Sequence, residues 1–166
     1  MSPLSRRSHF FAALLALVLG LATAGEPGIL QIPTVGPRDT CPVCGMPVAP
    51  YPTWAATAVY ADGHAHHFDG PKDFFKYLAN ISHFAPGHFR ENITTLAVTD
   101  YYHSVPIDAQ QAYYVVDSDV LGPMGKELVP FDSRQAAEEF LTDHHGSQIL
   151  TFGEVTPLLL QQLDSY

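Results

Sequence analysis

Apolar and polar positions change rhythm several times along the chain, and each rhythm predicts an element. A nearly unbroken apolar run from Phe10 to Leu21 follows Arg6-Arg7 and precedes the small residues Ala22-Thr23-Ala24. It is too short to span a bilayer, and its flanks predict a secretory signal peptide over 1–24. Residues 25–40 hold three Pro and three Gly without periodicity and predict an extended linker. Trp54, Ala56, Ala58 and Tyr60 then recur at period two and predict a strand. Asp62-Gly63 is a hairpin signal, and His64 to Phe68 predicts the returning strand. Asp69 is placed to cap a helix opening near Pro71, with Phe74, Phe75 and Leu78 as its apolar face.

A similar rhythm returns further on. Ala112 to Val116 predicts a strand, Asp117 to Lys126 a turn-rich loop, and Glu127 to Phe131 a second strand. Asp132 and Gln135 have capping-box spacing before a helix over Arg134 to His144, which Gly146 is placed to stop. Phe68-Asp69 and Phe131-Asp132 lie 63 residues apart, and at the same offset Tyr77-Leu78 meets Phe140-Leu141. The expected fold is therefore α+β, with two strand-strand-helix (ββα) units related as an internal repeat and built on antiparallel sheets. Ile93 to Thr99 and Ile149 to Phe152 predict further strands, and Pro157 to Leu163 a terminal helix. The folded domain is expected over 41–166.

Composition narrows the function. The 166 residues are 46% hydrophobic, enough for one compact domain. Without Arg6 and Arg7, 6 Lys+Arg face 17 Asp+Glu, a net charge near −11 that excludes a phosphate-backbone partner. No serine-histidine-aspartate set, phosphate loop or paired-carboxylate motif stands out, so a binding protein rather than an enzyme is expected.

The chemistry concentrates in Cys41-Pro42-Val43-Cys44-Gly45-Met46. Four readings compete. A structural zinc site needs four ligands, and only one Cys pair is present. A thioredoxin-like redox pair would open a helix, which Pro47 and Pro50 oppose. A plain disulfide suits an exported protein, although so small a ring is a weak staple. A soft-metal site uses the donors directly: thiolate and thioether together select Cu(I), and Cys44 and Met46 flank a glycine that permits a tight turn. Met124, between Gly122-Pro123 and Gly125, sits in a loop rather than on an apolar face, which suits a ligand better than core filler.

These residues resemble the NosL family, the nitrous oxide reductase accessory proteins. The resemblance rests on Cys-Pro-Val-Cys-Gly-Met-x-Val at Cys41 to Val48 with Pro52 and Trp54, on Asp62-Gly63 and Phe68-Asp69, and on the stretch from Tyr113-Tyr114-Val115 through Gly122-Pro123-Met124-Gly125 to Phe131. It implies a periplasmic Cu(I)-binding chaperone that delivers copper for nitrous oxide reductase maturation in denitrification. It implies Cys44, Met46 and Met124 as the soft ligands, with Cys41 as partner or alternate donor. Typical members carry a lipid-modified Cys at the signal cleavage site. Leu21 to Gly25 has none, so a soluble periplasmic protein without a stable membrane anchor is expected after cleavage behind Ala24. The alternatives are a thiol oxidoreductase using Cys41 and Cys44, and a zinc-binding interaction module. Among the histidines, His64, His66 and His67 fall on the predicted hairpin, where exposure to solvent explains them. His66, at mid-strand, is the one candidate to complete a copper site.

Overall fold

The computed structural model describes residues 30–165. The predicted signal peptide lies outside them, as does the start of the linker. The hairpin forms from β1 (Ala56–Tyr60) and β2 (Ala65–Phe68). The Tyr60 N–H donates to the His64 carbonyl at 2.8 Å, and Gly63 takes the left-handed φ of 84° that closes such a loop. Helix α1 (Pro71–Ala79) and the single turn α2 (Ile81–Phe84) follow. β3 (Ile93–Thr99) pairs with β1, and β4 (Pro106–Asp108) extends the sheet to the order β2-β1-β3-β4. In the second half β5 (Tyr113–Val116) pairs with β6 (Val129–Phe131). Then come α3 (Arg134–Asp143) and β7 (Gln148–Thr151), in the sheet order β6-β5-β7. All pairings are antiparallel. Helix α4 (Pro157–Leu163) packs against α1.

Both halves run strand, strand, helix, strand, with β3 and β7 each lying beside the first strand of its half; β4 is an addition to the first half. The positions 63 residues apart do the same work in each. Phe68, at the end of β2, meets Tyr77 of α1 with ring centroids 5.0 Å apart, and Phe131, at the end of β6, meets Phe140 of α3 at 4.9 Å. The α+β fold of two ββα units is thus the one adopted, and this pairing agrees with an internal repeat. β5 joins the halves. Tyr114 and Val116 point into the larger core with Phe68, Phe74 and Tyr77, while Val115 points to α3, as period-two alternation requires.

Several helix ends differ from the sequence expectation. Asp69 does not cap α1. The N-cap is Gly70, which makes no side-chain capping bond, and the cap comes from Glu127, whose buried carboxylate accepts the Lys72 N–H in a short hydrogen bond and the Leu128 N–H at 3.1 Å. β6, expected from Glu127, is shortened to Val129–Phe131, and Glu127 is buried ahead of it. A Cβ on Gly70 would collide with the same carboxylate. Asp132 does not cap α3 either; Ser133 does, accepting the Ala136 N–H at 3.3 Å. The α3 stop is shared: His145 takes the left-handed φ of 56°, and the Gly146 N–H donates to the Leu141 carbonyl at 2.9 Å. Trp54 precedes β1 in a turn and packs on Tyr101. Ahead of Cys41, Val35 packs on the core and the Asp39 carbonyl accepts the Val48 N–H, so ordered packing begins within the predicted linker.

Candidate metal centre

Cys41 to Met46 folds as a knuckle held by its own main chain. The Cys41 N–H donates to the Met46 carbonyl at 2.8 Å, and the Gly45 N–H to the Cys41 carbonyl at 2.9 Å. Gly45 takes a φ of 78°, which a residue with a Cβ adopts only under strain. No helix starts here, as Pro47 and Pro50 require. Both cysteines are free thiols.

The knuckle faces two carboxylates. Cys41 Sγ donates to Asp73 Oδ2 at 3.5 Å, and Cys44 Sγ to Asp69 Oδ1 at 3.3 Å. One ligand atom from each of Cys41, Cys44, Asp69 and Asp73 lies within 4.8 Å of the others. Cys41, Asp69 and Asp73 are buried and Cys44 is half-buried, so the site opens through Cys44. Asp69 Oδ2 is buried with no hydrogen-bond partner among the described residues. A buried carboxylate oxygen without a donor is costly, and a cation would relieve it.

The thiols are held as acids. Burial pushes Cys44 up to about 12, with the neighbouring carboxylates of Asp73 and Asp69 adding to the effect and the Met46 N–H opposing it. Burial pushes Cys41 up further still, against N–H groups of Cys44 and Val43 directed at its sulfur. Those N–H groups would favour a thiolate once a metal displaced the proton.

The sequence-predicted ligands are placed as follows. Cys41 and Cys44 meet, and Met46 is half-buried at the end of the same knuckle. The Met124 loop is closed by paired bonds between Gly122 and Gly125 at 2.8 and 3.1 Å. Its main chain docks on the start of α1, where Lys72 Nζ donates to the Met124 carbonyl at 3.0 Å, and the Met124 residue stays 42% exposed. Sequence reasoning missed Asp69 as a site residue because a local cap explained it, and Asp73 because its only signal was the four-residue spacing from Asp69. His67 is spoken for by Thr57 Oγ1 at 2.9 Å and Asp39 Oδ2 at 3.7 Å. His66 does not join the cysteines; it gathers with His64 and His88 instead. Burial, with the charges of His64 and His88, lowers its imidazole to about 4. His88 had no sequence signal, since it reaches the group from a turn twenty residues beyond the hairpin.

No helix among the described residues is long and apolar enough to cross a membrane. A crystal structure of the copper chaperone NosL from Shewanella denitrificans shares the fold at a TM-score of 0.66 and 22% identity, covering 77% of this chain and 97% of that one. The copper-binding lipoprotein NosL of Stutzerimonas stutzeri is 32% identical over 162 residues, covering 90% of this chain and 80% of the relative. The NosL family model matches residues 32–160, which take in the cysteine knuckle, both carboxylates and the Met124 loop, and the chain belongs to the NosL family.

Proposed function

We propose that this protein is an exported, non-catalytic copper chaperone. It takes Cu(I) on Cys44, Met46 and Met124, with Cys41 as partner or alternate donor. It passes the ion to a recipient cuproenzyme, nitrous oxide reductase or its assembly machinery. One observation carries the reading: two free thiols in a glycine-turned knuckle face an unpartnered buried carboxylate oxygen, beside a methionine of the same knuckle. The named copper binding of its relatives supports it. Sulfur donors select Cu(I), and the adjacent carboxylates attract any cation. Loading drives the thiol protons out; Cys44, the more open of the two thiols, is where an incoming ligand of the recipient would begin to take the metal. Cleavage behind Ala24 would release the mature chain into the periplasm without a lipid.

Titration of reduced protein with Cu(I) against a competing chelator tests the site. Cys44→Ser is expected to weaken binding at least about a hundredfold, near 2.7 kcal/mol. Equal affinity in wild type and variant would overturn the assignment. The zinc reading gains from the same geometry, because two thiols and two carboxylates make a four-ligand set that zinc accepts. Metal analysis of protein purified anaerobically decides between them: copper near one equivalent supports the chaperone, and zinc alone supports the interaction module. The thiol-oxidoreductase reading is opposed by the raised thiols, since catalytic cysteines need a depressed pKa.

A further inference from the structure

We propose that His64, His66 and His88 form a second metal site, a three-imidazole seat for a borderline divalent cation, Cu(II) or Zn(II). The inference goes beyond the Cu(I) reading and does not depend on it. The rings come from three places: the hairpin loop, the middle of β2, and the turn that follows α2. One ring nitrogen from each lies within 4.8 Å of the other two. The ring centroids stand 4.6, 5.0 and 5.3 Å apart. Imidazoles bound to one tetrahedral ion through nitrogen-metal bonds of about 2.0 Å place their centroids about 5 Å apart, so the rings stand close to a ligating arrangement.

Two details point to a ligand rather than to packing alone. His66 Nδ1 is hydrogen-bonded to the Tyr77 hydroxyl at 2.7 Å, and that hydroxyl is tied in turn to Tyr60. This fixes the ring and leaves Nε2 as its ligand atom, the way outer hydrogen bonds orient metal-binding histidines. His88 Nδ1 is buried and has no hydrogen-bond partner among the described residues. His64 is exposed, which gives an ion a way in. No carboxylate belongs to the group, so the donors are neutral nitrogens, which suit copper and zinc and not calcium or magnesium.

The test uses the mature chain carrying Cys41→Ser and Cys44→Ser, because free thiols would bind zinc and would reduce Cu(II) as they oxidised to a disulfide. Calorimetric titration with Cu(II) and, separately, with Zn(II) is expected to show one saturable equivalent. The Cu(II) form is expected to show nitrogen couplings by electron paramagnetic resonance. Adding His64→Ala is expected to weaken binding at least about tenfold, and His88→Ala gives an independent check should either variant fold poorly. The tighter ion identifies which of the two the seat takes. Absence of saturable binding by both ions, or affinity unchanged in both histidine variants, would overturn the proposal. With its cysteines intact, His64→Ala is expected to keep wild-type Cu(I) affinity, so failure of one site is distinguishable from failure of the other.

Discussion

Glu127 offers the sharpest quantitative test of how the two halves are joined. Its carboxyl is fully buried, and that burial lifts it from 4.5 to about 8, against the Leu128 and Lys72 N–H groups and the Lys72 charge that pull it down. Lys72 does not depend on it for compensation, having Asp164 Oδ1 at 3.3 Å and the Met124 carbonyl at 3.0 Å. A carboxyl raised on folding stabilises the protein fully below its unfolded pKa. That contribution is lost as pH rises through the folded pKa. For Glu127 the window runs from 4.5 to about 8. Within it the loss is about 1.4 kcal/mol per pH unit, on the order of 5 kcal/mol in all. Glu127→Gln keeps an oxygen to accept the Lys72 and Leu128 N–H groups and removes the titration. Urea denaturation of metal-free protein from pH 5 to 8.5, followed through the single tryptophan, Trp54, reads both stabilities. The variant is expected to match wild type within about 1 kcal/mol at pH 5 and to exceed it by several kcal/mol near pH 8. Parallel profiles would refute a neutral Glu127. A variant weaker than wild type at every pH would mean that the carboxylate is charged and paired with Lys72.

Three further outcomes follow from the thioether loop and the thiols. Met124→Ala is expected to lower Cu(I) affinity at least about tenfold, roughly 1.4 kcal/mol. Its apo stability should stay within about 0.5 kcal/mol of wild type, because the residue is 42% exposed; a large loss of apo stability with unchanged affinity would return Met124 to the core. Because both thiols are held protonated, a small disulfide reagent at pH 7 should modify them at least about a hundredfold more slowly than free cysteine, and rates matching free cysteine would contradict the raised pKa values. Once an internal disulfide has formed, copper uptake should fall to background until reduction.

The legible parts of this fold were those written locally. Alternation gave β1, the Asp62-Gly63 hairpin gave β2, and the 63-residue echo of Phe68 in Phe131 pointed to two like units. The Cys41–Met46 turn was readable because glycine and proline leave it few conformations. What was not readable came from far along the chain. The α1 cap lies 55 residues away, in Glu127, so Asp69 looked like the cap and its place beside Cys44 was hidden. His88 joins His64 and His66 only because α2, itself too short to show a period, turns the chain back. β4 was missed because three residues beginning with proline carry no alternation.

The prolines of the outer strands bear on how the protein meets others. β4 opens on Pro106, and β6 centres on Pro130, whose carbonyl is taken by the Tyr101 N–H at 3.0 Å. Pro130 has no N–H to offer on that side, and its outward acceptor is filled. An incoming strand therefore finds no ladder to extend along β6, and a proline interrupts the one along β4. Strand addition is thus opposed at one edge of each sheet, β4 and β6, whereas the opposite edges, β2 and β7, have no proline to oppose it.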